Sequence, residues 1–113
     1  MSYLLINYDD SKPALTKIEL PEDSTEWLHQ VYKHLECDTI DVVPTILRGI
    51  YLVIDDNGKC FDGWERKVNS VASAIYGSPW DDIVGNAILT RRDGCELCDL
   101  LPTDIEMLCK YFK

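Results

Sequence analysis

The chain has 113 residues and a formal net charge of −9, with 46% hydrophobic and 27% charged side chains. That length suits a single domain over residues 1–113 that buries a core without help from metal or disulfide, and the composition excludes wholesale disorder. The carboxylate excess argues against direct nucleic-acid binding, which needs clustered Lys and Arg. Apolar runs such as Tyr3–Ile6 and Ile50–Ile54 are strand-sized, far short of a membrane-spanning helix.

Tyr3 to Tyr8 reads as a strand, residues 9–13 as a turn, and Ala14 to Leu20 as the partner strand of a hairpin. Pro21 stops it. Asp23 with Glu26 opens a helix near 24–36, in which Trp27, Leu28, Val31 and Leu35 form one apolar stripe. Thr39 to Val43 and Gly49 to Ile54 are β-branched strands separated by Pro44, and Asp56-Asn-Gly58 is a turn signal. Asp62 with Glu65 marks a second helix near 63–76, with Trp64, Val68, Val71, Ala72 and Ile75 inside it, closed by Gly77 and Pro79. Ile83 to Thr90 reads as a strand, Arg91 to Gly94 as a hairpin turn, and Cys95 to Leu100 as a weaker strand. Thr103 and Glu106 behind Pro102 give a capping box for a last helix near 103–112, with Ile105, Leu108, Cys109 and Phe112 on its inner face. The order ββαββαββα does not alternate as a doubly wound sheet does. It predicts an α+β fold with three helices on a mainly antiparallel sheet.

No constellation for catalysis emerges. His29 and His34 sit five apart on one predicted helix, about 140° around its axis, which does not suit a shared ligand. No serine occupies a nucleophile elbow, and Gly85-Asn86 alone is no phosphate loop. A glycine there marks a bulge or a close backbone approach. Cys95-Glu-Leu-Cys98 has a chemical spacing, but a structural zinc needs four ligands and no second close pair exists. Five cysteines with no room for a signal peptide before the first strand fit free thiols in a cytoplasmic setting. The expectation is a protein with no enzymatic activity, cofactor or metal. Trp80 follows Pro79 and precedes Asp81 and Asp82, a loop where an aromatic ring is available to a partner or a stacked base. Asn69 lies off the apolar stripe, so its amide is available to a loop or a ligand. Arg48, Arg91 and Arg92, with Asn86, complete the candidate binding residues.

From Tyr51 to Phe112 the chain carries an apolar strand running into Asp56-Asn-Gly-Lys59, then Asn69, then Asp82-Ile-Val-Gly-Asn86, then Leu101-Pro-Thr-Asp-Ile-Glu106. Over about residues 36–112 it resembles a domain-of-unknown-function family carried on bacteriophages, plasmids and integrative elements. Its members have an apolar strand ending in an acidic-Gly-Lys turn, an Asn before a small-residue helix, an I-x-G strand and an acidic C-terminal helix. The resemblance implies a mobile-element accessory protein that interferes with a host process, most plainly anti-phage defence, by binding. Three forms are open. One binds a host protein through an acidic face; one is an oligomeric sponge for a small anionic nucleotide; one is a folded DNA mimic. The carboxylate supply favours the protein partner. Strand edges at both ends of the fold also make a homodimer the expected assembly.

Overall fold

The computed structural model describes residues 2–8, 15–56, 68–77, 83–94 and 96–111. Among them six strands and three helices follow in the order predicted: β1 (Ser2–Ile6), β2 (Leu15–Glu19), α1 (Ser24–Leu35), β3 (Ile40–Pro44), β4 (Ile50–Asp55), α2 (Ser70–Tyr76), β5 (Ala87–Asp93), β6 (Glu96–Cys98) and α3 (Pro102–Tyr111). The strands form one sheet in the order β2-β1-β5-β4-β3, every pairing antiparallel. The first half of β5 pairs with β1 and its last residues with β6, so these two share one flank of β5.

The central strands are apolar on both faces, and their period-2 alternation sends neighbours to opposite layers. Tyr3, Leu5, Val53 and Ile88 pack with Val31 and Leu35 of α1. Leu4, Ile6, Ile50, Leu52, Ala87 and Leu89 pack on the other side with Ala72 and Ile75 of α2 and Leu108 of α3. The sheet is thus filled between one helix and two. Both outer strands carry devices against strand addition. The Asp41 carboxylate accepts the Val42 N–H at 2.9 Å, Pro44 at the end of β3 has no N–H, and β2 exposes Lys17. These devices weigh against a second copy adding at a strand edge.

Three expectations change in detail. The described part of α2 begins at Ser70, not near 63. Val68 is extended and bridges Val84, and Asn69 caps the helix from an extended conformation (φ −94°, ψ 98°). Trp64 and the Asp62/Glu65 helix start lie outside the described residues, as do the turns expected at 9–13 and Asn57-Gly58. Secondly, β5 runs from Ala87 to Asp93, so Arg91, Arg92 and Asp93 belong to the strand, held by pairing with β6 on one side and, at Arg91, with β4 on the other. The turn after the strand starts only at Gly94, whose φ of 62° lies in the left-handed region that favours glycine. Ile83 to Asn86 precede the strand. Lastly, α3 starts one residue earlier than expected, with Pro102 as its first residue, a position where a missing N–H costs nothing. Asp104, not Glu106, reaches back, accepting the Leu101 N–H at 2.9 Å.

Candidate functional site

Two of the predicted site residues meet where β1 and β4 finish and β5 begins. Asn69 is fully buried. Its side-chain oxygen accepts the Ala72 N–H at 3.0 Å, capping α2. Its side-chain nitrogen donates to the carbonyls of Ile6 at 3.0 Å and Gly85 at 2.9 Å. One amide therefore ties the helix start, the end of β1 and the approach to β5, and no other short side chain offers an acceptor and two donors together. Gly85 has a φ of 80° and open space where a Cβ would stand, so backbone conformation rather than close approach requires glycine there. Asn86 accepts the Tyr8 N–H at 3.1 Å and donates to the His34 carbonyl at 3.2 Å, closing the C-terminal end of α1. Burial, and secondarily Lys33, lowers the pKa of His34 from its ordinary value. At this junction the amides of Asn69 and Asn86 are occupied by the chain itself.

The three arginines gather around the opposite end of β4 and β5. Arg91 is the partner of Asp104, with Nε–Oδ2 at 2.5 Å and Nη2–Oδ1 at 2.7 Å. The Asp104 side chain is 8% exposed. Its carboxyl is held below the usual aspartate range, chiefly by the hydrogen bonds from Arg91. This bidentate pair locks the start of α3 onto β5. Arg92 points to the other face, where its guanidinium lies 5.5 Å from the centroid of the Tyr51 ring and its Nε donates to the Gly94 carbonyl at 3.1 Å. Arg48 is exposed on the turn before β4. Gly49 beside it has a φ of 81°, and a Cβ there would stand 2.9 Å from Nη1 of Arg91. Trp80, Asp81 and Asp82 lie outside the described residues.

A groove at the same end, over the face that α1 covers, was not foreseen. It encloses about 430 Å³ between Tyr3 of β1, Pro21 and Glu22 of the β2–α1 turn, Ser24 and Trp27 in the first turn of α1, and Glu96 and Leu97 of β6. Its aromatic floor is the Tyr3–Trp27 pair, ring centroids 6.3 Å apart and planes tilted by 60°. Burial raises the pKa of the Tyr3 phenol; a hydrogen bond from Trp27 opposes that shift and the Asp99 carboxylate adds to it. The rim is acidic, Glu22 and Glu96 being exposed, and no lysine or arginine is among the described residues lining it. Asp23, just outside, accepts the Thr25 and Glu26 N–H groups at 3.1 and 3.0 Å. The helical stripe of α1 places Trp27 with the core residues Val31 and Leu35. Trp27 itself is half-buried, with part of the ring available. No sequence signal marks this groove, because its walls come from segments far apart in the chain.

The described thiols of Cys37, Cys98 and Cys109 are unbridged. Burial pushes Cys37 up to about 11 and also raises Cys98. Among the described residues no group of three His, Cys, Asp or Glu side chains is placed to hold a metal ion, and no helix is long and apolar enough to cross a membrane. The geometry is that of a small antiparallel α+β protein with a partly open, acidic-rimmed groove lined by two aromatic rings. The chain belongs to the family described as a domain of unknown function, DUF3846, whose model matches residues 1–113. The match includes the residues before 36, where the resemblance legible in the sequence fades. No curated protein and no solved structure matches the chain.

Proposed function

We propose that this protein is a non-enzymatic binding protein that engages a protein partner through the acidic surface around α1 and β6. The observation that carries this reading is how the two kinds of charge are used. Arg91 is committed to Asp104, and Arg92 is engaged with Tyr51 and Gly94. The Glu22 and Glu96 carboxylates instead stand exposed beside an aromatic floor. A nucleotide sponge built on Arg48, Asn69, Arg91 or Arg92, with Trp80 for stacking, would draw on exposed Arg48 and on Trp80, which lies outside the described residues. At Asn69 and Arg91 it would have to break internal bonds, at a cost of about 1–3 kcal/mol for each buried group left unpaired. The resemblance to mobile-element proteins supports a host protein as the partner, with a component of anti-phage defence as the first candidate.

A native pull-down from host lysate, with mass spectrometry of proteins and released small molecules, tests the proposal. One stoichiometric host protein is the expected result, with salt-sensitive retention. Recovery of a stoichiometric nucleotide without protein, or turnover of a substrate, would overturn it.

A further inference from the structure

The groove at the start of α1 has a composition that selects its occupant. Its floor is two aromatic rings, its rim two exposed carboxylates, and the described lining residues include no cation. The N-terminal end of α1 borders it, and a helix N-terminus alone would favour an anion with roughly half a unit of positive charge. Here the Asp23 carboxylate already fills that position on the Thr25 and Glu26 N–H groups. With Asp23 offsetting the dipole and Glu22 and Glu96 on the rim, the groove is negative. It is also partly open to solvent rather than an enclosed cage, so a partner's side chain can enter it from the surface.

We infer that the groove is the specificity pocket of the partner surface, taking an arginine side chain of the protein partner, its guanidinium stacked on Trp27 and paired with Glu22 and Glu96. This rests on the protein-partner reading above and names the chemistry of that contact. A guanidinium is the fitting cation because it is planar, only weakly hydrated and able to stack on an indole while its edge donates to carboxylates. Lysine meets the charge requirement but not the stacking one. Pro21 and Leu97 receive the aliphatic stem, as apolar walls do for long cationic side chains.

The test uses the full chain and synthetic peptides containing arginine, lysine or citrulline at one position. Binding is followed by the indole N–H resonance of Trp27, assigned with a Trp27→Phe variant. The arginine peptide is expected to shift this resonance saturably, the lysine peptide to bind more weakly, and the uncharged citrulline peptide to leave it unmoved. A Glu22→Gln/Glu96→Gln double variant should keep its fold and bind the arginine peptide about tenfold more weakly, the loss expected for two partly exposed charge pairs. Equal response to citrulline, unchanged affinity in the double variant, or shifts confined to residues away from the groove would each overturn the inference. The two proposals fail separately. A host protein retained equally by wild type and double variant preserves the partner reading and removes the groove from it. Arginine-selective binding at Trp27 with no retained protein preserves the pocket and removes the reading.

Discussion

The two ends of the sheet handle polar groups in opposite ways. Where β1 finishes, Asn69 and Asn86 turn their amides inward, onto Ile6, Ala72, Gly85, Tyr8 and His34. Where β1 begins, Glu22 and Glu96 face solvent across an aromatic groove. The fully buried Asn69 amide, with its acceptor and both donors used, stabilises the fold rather than offering groups to a ligand. Half-buried Asn86 bonds the chain on both of its polar atoms, whereas exposed carboxylates add little stability and keep their binding capacity. An asparagine beside a helix is therefore a poor guide to a binding site until its partners are known.

The sharpest way to break that contrast is at Asn69. Replacement by Ala removes the cap and takes a donor from the buried Ile6 carbonyl and from the half-buried Gly85 carbonyl, an expected loss of about 3 kcal/mol in chemical denaturation. Asn69→Asp keeps the cap acceptor but sets a carboxylate against the Ile6 and Gly85 carbonyls, so it should recover little. A near-native midpoint for Asn69→Asp would show that the cap alone matters.

Arg91→Ala comes next, at about 2–3 kcal/mol, because it strips two bonds from a buried carboxylate. The double variant Arg91→Met/Asp104→Leu should be less destabilised than Arg91→Ala, since no charge is left uncompensated. The pH dependence follows from the lowered pKa of Asp104. Its contribution is present above the ordinary aspartate value, declines as pH falls through the range between the ordinary and the lowered value, and is absent below both. Asp104→Asn should flatten this part of the acid limb of a stability–pH profile, and an unchanged limb would contradict the assignment.

Glycines at a helix end and beside the junction sharpen the comparison at smaller scale. Gly77 and Gly85 have nearly equal φ values of 78° and 80°, but a Cβ at Gly77 would collide with the Cγ2 of Ile46 while Gly85 has open space. Thermal unfolding should show Gly77→Ala costing about 2 kcal/mol and Gly85→Ala about 1 kcal/mol, the backbone part being common to both. Equal losses would mean that Ile46, which is exposed, moves aside freely. The smallest effect belongs to the groove rim: Glu22→Gln and Glu96→Gln should each change stability by no more than about 0.5 kcal/mol. A larger loss there would make the rim structural, not a binding surface.

The amino-acid sequence by itself determined which elements form and in what order. Tyr3-Leu-Leu-Ile6 and Ile50-Tyr-Leu-Val-Ile54 are apolar without interruption because their strands are covered on both faces. The stripe of Val31 and Leu35 likewise marked the buried side of α1. The family match over the whole chain bears out its kinship with a domain of unknown function. Tertiary structure decided the rest, for one physical reason. Caps, turn residues and periodicity act between residues a few positions apart, whereas the decisive contacts join distant ones. Asn69 caps α2 while bonding a carbonyl 63 positions away, and no local pattern reports that demand. Arg91-Arg-Asp-Gly94 has the composition of a turn, but pairing with β4 and β6 keeps Arg91 to Asp93 in the strand. Arg91 and Asp104 became partners only when α3 folded onto β5. Tyr3, Trp27 and Glu96 became one groove because β6 is seated beside the start of β1, where the Leu100 N–H donates to the Ser2 carbonyl at 2.9 Å.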